Sequence, residues 1–259
     1  MNAIEITELV KTYESGLRAV DGLELTVPGK SIFGFLGLNG AGKTTTIRMI
    51  AGVSRPDRGT IRLFGEEVDR AHHAWKRQIG FVLDDPLYFE WMSPDEYLRF
   101  VGTMYGIESN VTAERTEELL EFFDLADKKE DPIGTFSTGM KKKISLAAAI
   151  IHNPRLIILD EPLDGIDALA ASAIKETLRL MAESGTTIFI TSHVLDTVEK
   201  LCTDIAIIHQ GKAILSCRTD EIRSKLPGSL DGRAPGSLED LFVELVSGRT
   251  RTKHLSWIR

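Results

Sequence analysis

Residues 31–44 read Ser31-Ile-Phe-Gly-Phe-Leu-Gly37-Leu-Asn-Gly-Ala-Gly-Lys43-Thr44, an apolar strand that runs into a glycine-rich loop and then a helix start. Gly37, Leu38, Asn39, Gly40, Ala41, Gly42, Lys43 and Thr44 fit GxxxxGK[ST], and the strand-to-helix setting is what gives that pattern meaning. Glycines let successive backbone N–H groups turn inward around phosphate oxygens, while the following helix presents its positive end to the same charge. Lys43 then supplies a mobile cation to the outer phosphates, the Thr44 hydroxyl is placed for a Mg²⁺ ion, and Thr45 is expected beside it among the nucleotide-binding residues. A mere tight turn would need neither Lys43 nor Thr44.

A second apolar strand, Leu156-Ile-Ile-Leu-Asp160-Glu161-Pro162, ends in two carboxylates. Strands of this kind bury their side chains up to the carboxyl end, where ligands of open α/β sheets sit. Asp160 suits Mg²⁺, through water, and Glu161 suits orienting or deprotonating an attacking water. An acidic pair there could also be only a helix cap. Beside a phosphate loop it reads as a nucleotide-hydrolysis site.

Around these two segments the pattern alternates strand and helix. Short strands are expected from Ala3 to Val27, at Gly59 to Leu63 and at Ile79 to Leu83, with a helix from Gly42 to Gly52. From Pro94 to Ile151 three stretches carry helical periodicity with no strand between them, a helical insert. Strands return at Leu156 to Leu159, Thr186 to Thr191 and Asp204 to His209, separated by helices at Ala168 to Glu183 and Val194 to Leu201. Such alternation implies a parallel sheet covered on both faces. A loop at 227–237, a last amphipathic helix from Leu238 to Val246 and a basic tail at 249–259 complete the chain.

With 259 residues, 42% of them apolar, the chain can bury a large core, and its net charge of -7 offers no overall basic field for nucleic acid. Cys202 and Cys217 are too few for a disulfide framework or a paired-cysteine zinc site and are expected to be inert thiols in a reducing compartment. The acidic start MNAIEITELV lacks the basic and apolar regions of a secretion signal. No apolar run reaches the roughly 18 to 20 residues of a membrane helix, so a membrane role is expected through a partner, without direct insertion.

The stretch Phe136-Ser-Thr-Gly-Met-Lys-Lys-Lys-Ile-Ser-Leu-Ala147 resembles the signature of ABC ATPases, commonly LSGGQ followed by a basic helix. Ser137 and Gly139 keep the hydroxyl and the open backbone that the family aims at the γ-phosphate of the opposite subunit. Phe136, Thr138 and Met140 depart from the consensus and resemble exporter ATPases of the drug-resistance and sodium-export kind. Lys141 to Lys143 are read as a solvated flank, with Lys142 pointing away from the apolar stripe Met140, Ile144, Ala147 and Ile151.

The resemblance extends from Ile4 to about Val246 and carries further roles. Tyr13 matches the aromatic ring that stacks on adenine. Asp167 in LDGID matches the loop that touches the partner subunit's site, and His193 in ITSHVLDTVE matches the switch histidine of the γ-phosphate. Asp84 stands where the family usually has a glutamine near Mg²⁺ and the attacking water; its added negative charge is expected either to strengthen metal binding, the favoured reading, or only to repel the γ-phosphate and perturb the timing of hydrolysis.

What the resemblance implies is a P-loop NTPase core with a mostly parallel sheet, an N-terminal antiparallel β subdomain and an inserted α-helical signature subdomain. It implies a single domain over 1–248, with an α/β core at 1–84 and 155–216, the helical subdomain at 85–154 and C-terminal helices at 217–248. The implied function is ATP binding and hydrolysis with Mg²⁺, powering transport, and export over import, through a separate transmembrane permease. Partners are a second copy or a related ATPase subunit, and permease subunits contacting residues near 84–106, where Tyr88, Phe89, Trp91 and Met92 cluster. No nucleic acid is expected, and the location is cytoplasmic, peripheral on the cytosolic face of the cell membrane. The ends SLEDLFVELVSG and the lack of a further regulatory barrel favour ABC-2 type exporters. Two alternatives are an ABC ATPase acting on ribosomes or DNA, which usually has two fused domains or a long coiled coil, and a nucleotide-binding regulator of low turnover.

Overall fold

Three strands with no exposed residue lie side by side: β3 (Ile32–Leu36), β7 (Leu156–Asp160) and β8 (Thr187–Ser192). Strands buried on both faces carry apolar side chains in unbroken runs, and the pleat sends alternate residues to opposite sides. Ile32, Leu36, Ile157, Leu159, Ile188 and Ile190 enter one core, while Phe33, Phe35, Leu156, Ile158 and Phe189 enter the other. The computed structural model describes residues 1–69, 74–83, 88–222 and 238–247.

The central sheet has six strands in the order β10-β9-β3-β8-β7-β6, with β6 at Ile79–Val82, β9 at Asp204–His209 and β10 at Lys212–Arg218. All its pairs are parallel except β9 with β10. A second, antiparallel sheet orders β2 (Arg18–Pro28), β1 (Asn2–Thr12), β4 (Arg58–Leu63) and β5 (Glu66–Glu67). Its inner residues Ile4, Ile6, Leu23, Leu25 and Ile61 share the phenylalanine core with Ile47, Met49 and Ile50 of helix α1 (Lys43–Ile50). Phe33 stacks on Phe189 with ring centroids 5.9 Å apart and planes 8° from parallel.

The other core receives the helical insert, α2 (Pro94–Met104), α3 (Ser109–Phe122) and α4 (Thr138–Ile150), and the flanking helices α5 (Ala168–Glu183), α6 (Leu195–Leu201) and α7 (Leu238–Ser247). Helix α2 starts where its sequence directs: the Ser93 hydroxyl accepts from the Glu96 N–H, and the Glu96 carboxylate accepts from the Ser93 N–H, with Pro94 in the first turn. Gly80 admits the backbone of α4 at Ala149, which any side chain on β6 would obstruct. Among the described residues no helix is long and apolar enough to cross a membrane.

The expected elements are present, with two additions. Strand β5 follows the turn Phe64-Gly65 and β10 follows Gln210-Gly211, both turns with positive φ at each residue. The sequence pattern predicts neither, and β10 carries the sheet through Cys217 and Arg218, where C-terminal helices are expected. Residues 227–237 and the tail 249–259 lie outside the described residues. Cys202 and Cys217 are buried and form no disulfide among the described residues, and burial raises the pKa of Cys202.

His152, just after α4, stacks on Tyr105 at 3.6 Å, and its Nε2 lies 3.1 Å from the Ile79 carbonyl oxygen. Nδ1 is buried with no partner among the described residues, so a second proton there has no acceptor. Burial chiefly, with Arg115 nearby, lowers its pKa from 6.5 to about 4, against an opposing pull from the Ile79 carbonyl. A histidine depressed on folding stabilises the native state above its unfolded pKa and loses that contribution as pH falls from about 6.5 towards 4. Allowing for its partial solvent access, the loss between pH 7 and pH 5 is about 1 kcal/mol. Urea unfolding at the two pH values should show that difference in the native protein and a smaller one in His152→Phe.

Candidate nucleotide site

The carboxyl ends of β3, β8 and β7 are brought level by register: Leu36 pairs with Ser192, and Asp160 with Thr191. The loops that follow these strands therefore open on one crevice. After β3 comes the glycine loop. Gly42 has φ 112°, and a Cβ there would lie 2.5 Å from the Ala19 carbonyl oxygen, so no other residue fits without displacing backbone. Helix α1 then begins with no side-chain cap and no acidic residue in its first turn. An uncapped helix start beneath a glycine cradle suits an anion with several oxygens.

Lys43 is only 6% exposed, and its ammonium donates to the Gly37 carbonyl at 2.8 Å and lies 3.4 Å from Glu161 Oε1. Thr44 faces out, whereas Thr45 faces in and its hydroxyl lies 3.0 Å from that of Tyr13. That bond holds the half-exposed Tyr13 ring beside the loop. Leu38, Asn39 and Gly40 are exposed, and Ala41 is buried.

At the end of β7, Asp160 is 2% exposed, and its Oδ1 accepts from the Thr191 hydroxyl at 2.6 Å. The same hydroxyl oxygen accepts from the Glu161 N–H at 3.1 Å. Glu161 has φ 47°, a left-handed conformation that costs a residue with a Cβ roughly 1–2 kcal/mol. Its carboxylate is fixed at both oxygens, Oε1 by Lys43 and Oε2 by His193 Nδ1 at 3.0 Å. His193 follows β8 and its side chain is 45% exposed. Tyr13, the glycine loop, Asp160, Glu161 and His193 thus form one cluster.

Ser137, Gly139 and Asp167 form another. Ser137 caps α4 by accepting from the Met140 N–H at 3.3 Å, and Asp167 caps α5 by accepting from the Leu169 and Ala170 N–H groups at 3.0 and 2.9 Å. The Ala170 N–H is the largest of the influences holding the Asp167 carboxyl below its ordinary pKa. These residues line a separate open cavity of about 440 Å³ with Met140, Lys143 and Leu169. Leu169 is 83% exposed.

Among the described residues no group of three or more His, Cys, Asp or Glu side chains could cage a metal. Mg²⁺ does not need one, because it binds through one or two protein oxygens together with substrate phosphates and water. The exposed Thr44 and the carboxylate Asp160 fit that donor set. Asp84 lies outside the described residues.

The lysine run differs from expectation. Lys142 is buried, and its ammonium donates to the carbonyl oxygens of Glu161 at 2.9 Å and Asp164 at 2.6 Å. The face of α4 opposite the apolar stripe is covered by the turn after β7, which helical periodicity alone does not reveal. Lys141 pairs with Glu90 at 3.1 Å, and Lys143 donates to the Phe123 carbonyl at 2.8 Å. Thr191 also went unremarked, since a threonine in a strand gives no chemical signal until the neighbouring strand is known. Of the aromatic group after β6, Trp91 and Phe89 are 74% and 45% exposed with rings 5.9 Å apart, whereas Tyr88 turns inward to donate to the Lys141 carbonyl.

A glycine phosphate cradle, a strand ending in Asp-Glu and a histidine from the next strand define a P-loop nucleotide hydrolase. The sequence pattern of the ABC transporter family matches residues 20–164, and the chain belongs to that family. It is 38% identical over 224 residues to the daunorubicin/doxorubicin resistance ATP-binding protein DrrA of Streptomyces peucetius, covering 86% of this chain and 68% of that one. It is 36% identical to the bacitracin transport ATP-binding protein BcrA of Bacillus licheniformis, covering 86% and 72%. A solved structure of the ATP-binding subunit of an ABC transporter superposes with a TM-score of 0.85 at 30% identity, covering 94% of this chain and 99% of that one. The chain is an ATP-binding subunit of this family, an ATPase coupled to transport.

Thr191→Val removes the donor to a buried carboxylate and the acceptor for the Glu161 N–H. It should cost about 2 kcal/mol in urea unfolding at pH 7, with Thr191→Ser close to the native value.

Proposed function

We propose that this chain hydrolyses ATP at the crevice above β3, β7 and β8 and uses the cycle to drive export through a separate permease. The observation that carries this reading is Glu161, held between Lys43 and His193 at the mouth of the glycine cradle. The backbone of Gly37 to Gly42 receives the phosphates, Lys43 leaves Glu161 for their greater negative charge, and the Tyr13 ring lies against adenine. Thr44 and Asp160 hold Mg²⁺, which when bound neutralises charge on the outer phosphates. Glu161 takes a proton from the water that attacks the γ-phosphorus as the bond to the bridging oxygen breaks. His193 orients Glu161 through Nδ1 and presents its other edge to the γ-phosphate.

Ser137, Gly139 and Asp167 lie in a cavity apart from that crevice, and a second copy packed head to tail gives them a role. There they meet the nucleotide held by the other copy, with Leu169 sealing the contact. The exposed Phe89 and Trp91 supply the aromatic surface for the permease, since such residues are enriched at interface centres. Export is favoured by the Met140 signature and by the relatives named for drug resistance and bacitracin transport. The chain then sits peripherally on the cytosolic face of the membrane.

Lys43→Ala should weaken ATP binding about a thousandfold in calorimetry, because the lysine–phosphate attraction is of order 4 kcal/mol at an effective dielectric near 20. Unchanged affinity would remove the phosphate assignment. Glu161→Gln should slow phosphate release by about 10²- to 10⁴-fold while leaving ATP affinity near native. Full turnover in that variant would move the base elsewhere.

A further inference from the structure

Lys142 shares its face of α4 with Ser145, Leu146 and Ala149, all of them buried, and a lysine there needs a reason. The methylene stem of Lys142 passes Val82, Leu146, Leu159, Pro162 and Ile174, which with it enclose a void of only about 10 Å³. An apolar side chain would pack there equally well. What it could not do is hold the two carbonyl oxygens at the end of that stem. A buried ammonium is retained only where such acceptors compensate its desolvation.

Both acceptors lie in the turn that carries Glu161. The Asp164 N–H donates to the Glu161 carbonyl at 3.2 Å, and the Lys142 ammonium closes on the same oxygen and on that of Asp164. The left-handed backbone of Glu161 is thus held from its N–H by Thr191 and from its C=O by Lys142. Lys142 is also five residues from Ser137, the cap of α4, a distance of about 7.5 Å along a rigid helix.

We propose that Lys142 is a positioning residue that couples the Ser137–Gly139 turn to the catalytic carboxylate. The coupling rests on the reading of Glu161 as base and of that turn as a contact to the nucleotide of a second copy. A shift of α4 when the turn engages phosphate pulls the Glu161–Asp164 turn with it, because the ammonium spans the two as one unit. Displacements of an ångström at a reacting group can change rates by about a hundredfold. Engagement at one nucleotide is thereby reported to the base that serves the other.

The test is steady-state and single-turnover ATP hydrolysis by the full chain. Lys142→Met should lower kcat by about tenfold with KM for ATP within about twofold of native, and Lys142→Arg should recover most of the loss. In a Glu161→Gln background the same Lys142→Met change should have almost no further effect, because both act through one group. Native kcat in Lys142→Met, an equal fall in the Glu161→Gln background, or no recovery with arginine would overturn the proposal. If Lys142→Met does not fold, Lys142→Gln, which keeps one amide donor, is read against the same criteria. Should Glu161→Gln alone keep full turnover, the base assignment fails and this proposal with it. A slow Glu161→Gln beside a native-like Lys142→Met would discard Lys142 alone.

Discussion

Strand β8 is hydrogen-bonded between β3 and β7, and its pairing sets Leu36 against Ser192 and Asp160 against Thr191. Because side chains alternate along a strand, a slip of one residue would turn Phe189 out of its core and put Ile188 and Ile190 in its place. Burying an aromatic or branched side chain contributes roughly 1.5–3 kcal/mol, so the wrong register loses several such contributions at once. The Phe33–Phe189 stack and the isoleucines on the other face therefore fix the strand lengthwise. The placement of the glycine loop, Asp160, Glu161 and His193 follows from that lock, although none of these residues helps to form it.

Around Glu161 the constraint is of a different kind. Its N–H, its C=O and both carboxylate oxygens are each engaged by a different element: β8, α4, the start of α1 and the loop after β8. A left-handed backbone at a residue with a Cβ persists only when its surroundings over-determine it. Here four separate contacts do so. The carboxylate consequently has a fixed direction, whereas Ser137 and Asp167 are held by local helix caps and, with Gly139, face a different cavity.

Much of this could be read from the residues alone. Apolar runs mark β3, β7 and the Ile188–Ile190 centre of β8, and Gly42 and Gly52 bracket α1. The glycine loop and the Asp160-Glu161 pair were visible because their residue types are costly outside such a site. Two hairpins were not, since Phe64-Gly65 and Gln210-Gly211 lack the asparagine or aspartate that usually opens a tight turn with positive φ. Strand β10 is also an edge strand, and although its burial alternates, the apolar run Ala213-Ile214-Leu215 hides that period in the sequence. Thr191 and Lys142 were hidden for a deeper reason. Their partners lie in segments 19 to 32 residues away in sequence, and only the packed arrangement shows that a threonine bridges two carboxylate residues or that a lysine faces inward.

The long reach of the central pairing bears on how the chain is made. Ile32 pairs with Ile188, 156 residues later in the sequence (188 − 32), so β3 has no neighbour in the central sheet until most of the chain has left the ribosome. At about 5–20 residues per second that interval lasts roughly 8–31 s. The β1–β2 hairpin can close early, because its partners are close in sequence. During the wait, β3 offers Ile32, Phe33, Phe35 and Leu36 together with unpaired backbone on both edges, a surface suited to capture by another nascent chain or a chaperone. The strand that delivers the phosphate loop is thus the segment of the newborn protein most in need of shelter.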